Sequence, residues 1–132
     1  MSLSQEERTI MVQLEIERAV RMVSEFAIYQ ENNLWNTLVN RMYYAAFHAV
    51  TALLINNGLH AGTHQGLYIL LSRHFIKEGV LSVDEGRLFA RLETLREKGD
   101  YNCFIDPEAE DVLPLLEPTK AFIEHIRQII NL

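Results

Sequence analysis

Cysteine, proline, glycine and positive charge are all scarce in this chain of 132 residues. With one cysteine, Cys103, no intrachain disulfide can form, so stability must come from a core, and the composition fits a reducing compartment. Three prolines and six glycines are too few for a low-complexity linker, and no internal repeat is present. Twelve Lys and Arg face eighteen Asp and Glu, a net charge of −6. A nonspecific nucleic-acid binder gains affinity by displacing counterions from many phosphates, which requires a basic surface. Any RNA contact here is therefore expected to be local or assisted by a partner. No apolar stretch is long and unbroken: the run from Trp35 to Ile55 is interrupted by Asn36, Asn40, Arg41, His48 and Thr51, which argues against a membrane span. The polar, acidic opening MSLSQEERTI is unlike a secretory signal, and a cytoplasmic location is expected. Gly-rich phosphate loops, Ser-His-Asp signatures and strand-like alternation are missing or scarce as well.

What remains reads as one helical domain over residues 1–132, with 48% hydrophobic and 23% charged residues, enough to close a single core. SQEE carries a capping box, Ser4 with Glu7, ahead of a stripe of Ile10, Met11, Leu14, Val20, Val23 and Ala27. A second helix is expected from about Asn32 to Asn57, stopping at Gly58. Thr63 caps a third carrying Leu67, Leu70, Leu71 and Phe75, which ends near Gly79. SVDE at 82–85 is a second capping box, starting a helix through Leu88, Leu92 and Leu95 that stops at Gly99. DYNCFIDPEAED is then a loop in which Asp106-Pro107 signals a new helix start. Interior proline removes a backbone bond, so Pro114 and Pro118 predict a short helix or kinked turn, followed by a final helix through Phe122, Ile126 and Ile129. The fold class is an all-α antiparallel bundle of four to five helices.

The segment RMYYAAFH places an arginine and a histidine in the most apolar part of the chain. Residues seven apart on a helix point within about 20° of one another, so Arg41 and His48 share a face with Thr37, Tyr44, Ala45 and Ala52. Trp35, Val39, Tyr43, Ala46, Phe47, Val50 and Leu54 supply a core stripe opposite. Small residues beside Arg41 and His48 would let a helix, a second copy or a ligand approach closely. The pair has a bland reading, satisfied polar groups or an oligomer contact. It also has a chemical one. Histidine exchanges protons near neutral pH, and arginine holds a phosphate bidentately. Together they suit metal-free cleavage of an RNA phosphodiester by its own 2′-hydroxyl. That reaction needs both an acid and a base, and a two-fold homodimer would bring two such pairs together.

RMYYAAFH, then THQG, FIKEG and GDY at these separations, resemble a HEPN domain of the small stand-alone prokaryotic type, over most of the chain. The resemblance implies an all-α, commonly dimeric bundle and, for many members, metal-independent endoribonuclease activity carried by an arginine and a histidine, here Arg41 and His48. It also implies a toxin–antitoxin setting, with a nucleotidyltransferase antitoxin as partner and no cofactor. Active members often carry a polar residue after the arginine, where this chain has Met42. One branch carries a modified tyrosine two residues after the histidine, where this chain has Val50; Tyr43, Tyr44 and Tyr101 are the remaining nearby acceptors. Some relatives are noncatalytic modules that bind a nucleotide or a nucleotidyltransferase, which is the alternative reading. A purely structural dimer is the third.

Other residues are secondary. Asn40, Tyr44, Asp100 and Tyr101 are candidates to support the pair, with Asp100 or Tyr101 expected to orient Arg41. His64, Arg73 and Lys77 are candidates to touch RNA, and Arg73, His74 and Lys77 also read as an ordinary solvated strip. His60, His64 and His74 do not form a convincing ligand set, so no metal is expected. Cys103 lacks an activating neighbour. Tyr43 and Phe47 read as core packing rather than a platform for RNA bases.

Overall fold

The computed structural model describes residues 3–101 and 106–132. They form five α-helices, α1 (Gln5–Glu31), α2 (Trp35–Asn56), α3 (His64–Leu71), α4 (Val83–Tyr101) and α5 (Ala109–Ile130), and among them there is no strand. A π-helical turn, Ser72–Ile76, continues α3. The expected all-α bundle is what the chain forms.

Local chemistry sets most helix starts. Ser4 and Glu7 exchange side-chain and backbone hydrogen bonds, both 3.0 Å, and Ser82 and Glu85 do the same at the head of α4. Thr63 Oγ1 accepts from the Gly66 amide at 2.9 Å and starts α3. The turn between α1 and α2 passes through Asn33 at φ 56°, and Gly58 after α2 lies at φ 74°, where L side chains are disfavoured.

α2 is the axis of the molecule. Twelve of its residues are buried, among them Leu38, Met42, Tyr43, Ala49 and Leu53, because α1 packs on one side and α4 and α5 on the other. α1 and α2 run antiparallel, since Arg8 lies beside Gly58 and Glu15 beside His48. α2 is long and apolar enough to cross a membrane by length and composition. However, most of it is buried inside the bundle, as in the central helix of a folded core.

Several expectations are corrected. On α1 the buried stripe is Val12, Ile16, Ala19 and Phe26, while Ile10, Met11, Leu14 and Val20 are exposed. Apolar residues stand on two sides of α1, and only packing against α2 selects between them. Ala45 and Ala52 are fully buried within the bundle, so the small residues near Arg41 admit this chain's own helices. Gly99 does not end α4. It lies inside the helix, where a Cβ would collide with the Asn36 side chain, so this glycine permits close approach of α4 to the start of α2. α2 itself begins at Trp35 rather than Asn32.

The C-terminal region is one continuous helix, without the expected break at Pro114 and Pro118. Both prolines are exposed and four apart, on the solvent side, and so are Glu110 and Pro114, whose carbonyls lose their amide partners. The opposite face buries Val112, Leu116, Phe122, Ile123 and Ile126. Each such burial contributes about 1.5–3 kcal/mol, which together exceeds a cost of about 3 kcal/mol per interior proline. The helix also starts later than Asp106-Pro107 suggests. Glu108 is the cap, its amide donating to Asp111 Oδ2 at 3.0 Å.

Candidate active site

An otherwise buried helix shows one open line to solvent. Along α2, Thr37 is exposed, and Asn40, Arg41, Tyr44, Phe47, His48 and Thr51 are half-buried, at the three- and four-residue steps of one face. Arg41 and His48 therefore lie on one strip, as their spacing predicts. Met42 is fully buried and turned away from it, so the apolar residue after the arginine is a packing choice.

His48 is held by a residue the sequence did not single out. Glu15 on α1 meets its Nδ1 at 2.6 Å, with the two side chains 13% and 25% exposed for His48 and Glu15 respectively. A carboxylate on Nδ1 fixes the ring and its tautomer, directs Nε2 away from α1, and compensates positive charge when the ring takes a proton. Arg41 is different. Its Nε is buried without a hydrogen-bond partner, and among the described residues no carboxylate lies within ion-pair distance of it. A buried donor without a partner costs about 1–3 kcal/mol; Arg96 and Arg127 share this feature at Nε, but both also make ion pairs, which Arg41 does not among the described residues.

Asp100 does not orient Arg41. It accepts from Arg96 Nη1 at 3.2 Å, one turn away on α4. Arg96, 7% exposed, lies over the Tyr43 and Tyr44 rings at 4.8 and 5.5 Å, a cation–π arrangement that anchors α4 against α2. Tyr44 contacts Arg96, while Asn40, next to Arg41, is half-buried. The Tyr101 side chain and Cys103 lie outside the described residues.

Tyr43 is core, as expected, but it also makes a polar contact. Its hydroxyl forms a short hydrogen bond with His64 Nδ1. Burial pushes the Tyr43 phenol well above its ordinary range, with the Glu93 charge acting the same way and Arg96 opposing, so the hydroxyl keeps its proton. The His64 ring stacks on Phe47 with centroids 4.9 Å apart, and the His48 ring meets Phe47 edge-on at 5.6 Å. A cleft of about 240 Å³ opens there, lined by Met11, Glu15, Phe47, Thr51, His60 and His64 together with aliphatic residues.

Arg73 on the π-helical turn and Lys77 just after it are exposed and border a different, shallow groove with Tyr68, Ile69 and Ser72. The structure does not bring them to the cleft beside His48. His60, His64 and His74 are part of no group of three or more metal-ligating side chains among the described residues.

Comparison with known proteins agrees with this architecture. The HEPN domain profile matches residues 12–129. A Thermotoga maritima protein named UPF0332 protein is 30% identical over 114 residues, covering 86% of each chain. A Methanocaldococcus jannaschii protein named "Putative toxin MJ0605" is 30% identical over 120 residues, covering 91% of this chain and 89% of its own. A second protein of that organism, "Putative toxin MJ0142", is 25% identical over 121 residues, covering 88% and 82%. The strip that carries Arg41 and His48 falls inside the matched region, and the chain belongs to the HEPN domain family.

Proposed function

We propose that this protein is a cytoplasmic, metal-independent endoribonuclease, the toxin of a pair whose antitoxin is a nucleotidyltransferase. The observation that carries the reading is the pairing on one helix face of an imidazole fixed by a carboxylate, His48 with Glu15, and a guanidinium without a partner among the described residues, Arg41. The two Methanocaldococcus jannaschii relatives, each carrying the name "Putative toxin", support the biological setting.

In the proposed reaction Arg41 holds the non-bridging oxygens of the scissile phosphate and balances the charge that grows on them. His48 Nε2 takes the proton of the 2′-hydroxyl, and Glu15 compensates the imidazolium that results. The 2′-oxygen bonds to phosphorus, the bond to the 5′-oxygen breaks, and that oxygen receives a proton. The products are a 2′,3′-cyclic phosphate and a 5′-hydroxyl. A homodimer with the α2 strips facing each other sets two Arg41–His48 pairs on one RNA strand. Product ends test the chemistry: cleavage in EDTA that leaves 2′,3′-cyclic phosphates supports it, and 3′-hydroxyl ends contradict it.

The alternative is a noncatalytic module that binds a nucleotide or the nucleotidyltransferase through the same strip. The net charge of −6 favours that reading, because it weakens general affinity for RNA. Binding of a nucleotide or of the nucleotidyltransferase that Arg41→Ala weakens, with no RNA cleavage under any of the tested conditions, would select it.

A further inference from the structure

In-line attack places the entering 2′-oxygen and the departing 5′-oxygen on opposite sides of phosphorus. Acid and base must therefore be two groups separated by a phosphate and two hydrogen bonds, on the order of 8–10 Å between rings. His48 is one such group. We propose that His64 of the same chain is the second, the catalytic acid that protonates the departing 5′-oxygen; the assignment rests on the nuclease reading above.

Four features of the site carry it. The rings of His48 and His64 both rest on Phe47, at 5.6 and 4.9 Å from its centroid, so no more than about 10.5 Å separates them. Each ring is tethered through Nδ1, His48 to Glu15 and His64 to the Tyr43 hydroxyl, which leaves Nε2 of each without a protein partner among the described residues. A tethered imidazole with one free nitrogen is the arrangement proton transfer needs, because the tether fixes which nitrogen works. His64 is also fixed in the backbone as the first residue of α3, directly after the Thr63 cap. Finally, His64 lines an open cleft together with Phe47, which both rings contact, and Glu15, the residue that holds His48. His60 lines that cleft too, but it is exposed and makes no hydrogen bond among the described residues, and it lacks this preparation.

The protons then balance within one protomer. His48 Nε2 removes the 2′-hydroxyl proton as the 2′-oxygen bonds to phosphorus. His64 acts from its doubly protonated form, donating its Nε2 proton to the 5′-oxygen as that bond breaks, while Nδ1 stays hydrogen-bonded to the Tyr43 hydroxyl. Exchange with water returns both rings to their starting states.

The test compares two substrates. One is a short RNA. The other is the 3′-(4-nitrophenyl phosphate) of the nucleoside found 5′ to the mapped cleavage site, whose leaving group departs without a proton. His64→Gln is expected to slow RNA cleavage by about 100- to 10,000-fold while slowing the nitrophenyl ester less than about tenfold. Tyr43→Phe shifts the ester-to-RNA rate ratio the same way to a smaller extent, and His48→Gln slows both substrates. The ratio within one variant does not depend on the fraction folded. An unchanged ratio in His64→Gln overturns the assignment and leaves the nuclease reading intact. A wild-type protein that cleaves neither substrate removes both.

Discussion

Glu15 and His48 stand 33 residues apart in the sequence and 2.6 Å apart in the bundle. One comes from α1, the other from the open strip of α2, and the contact converts an isolated histidine into an oriented one. The first prediction concerns this pair. Glu15→Gln keeps a side chain of similar shape but removes the negative charge that balances imidazolium, so cleavage should fall about 10- to 1,000-fold. The melting temperature should move only slightly, since a partly exposed hydrogen bond contributes about 1 kcal/mol. Wild-type cleavage by Glu15→Gln, measured at equal folded fraction, contradicts the role given to Glu15.

Tyr43 makes a prediction about alkaline stability. The folded state holds the buried phenol protonated above its ordinary value of 10.0, while the unfolded chain releases the proton near that pH. The contribution of Tyr43 is therefore fully present below about pH 10 and is lost as pH rises through and beyond that range. Urea titrations from pH 8 to 11 should show a smaller loss of stability for Tyr43→Phe than for wild type. Parallel curves for the two proteins rule this out.

Gly99 tests the approach of α4 to α2. An added methyl collides with the Asn36 side chain, so Gly99→Ala should destabilise by about 1–3 kcal/mol despite the better helix propensity of alanine. The urea midpoint reads this directly. Pairing it with Asn36→Ala should restore most of the loss, because the obstacle is then gone.

How much was legible beforehand follows the range of the interactions. The Ser4–Glu7 and Ser82–Glu85 boxes and the Thr63 cap are local, and the sequence located them. Arg41 and His48 were legible as one face because helix period alone sets it. Glu15 was not. The apolar residues of α1 permit two stripes, and only packing buries Val12, Ile16 and Ala19 and so turns Glu15 toward His48. Arg96 and its contacts with Tyr43 and Tyr44 depend on the packing of α4 on α2, which no local motif encodes. Gly99 and the two prolines of α5 misled for a related reason. Their usual roles as helix stops are tendencies of exposed chain, and burial of the opposite face outweighed them.

The prolines give a further prediction. Pro114 is exposed inside α5, so Pro114→Ala restores an amide–carbonyl bond with no loss of packing. Stability should rise by about 1–2 kcal/mol, the helical gain less the added freedom of the unfolded chain. A lower melting temperature for Pro114→Ala contradicts the continuous helix.

The proposed role of the α2 strip is phosphodiester chemistry. The most direct measurement is cleavage of a mixed RNA substrate in EDTA by wild type and by His48→Ala, matched for helix content and oligomeric state. Wild type is expected to cleave, and His48→Ala to lose at least about 100-fold. Equal cleavage by the two proteins, or none by wild type on any RNA, contradicts it.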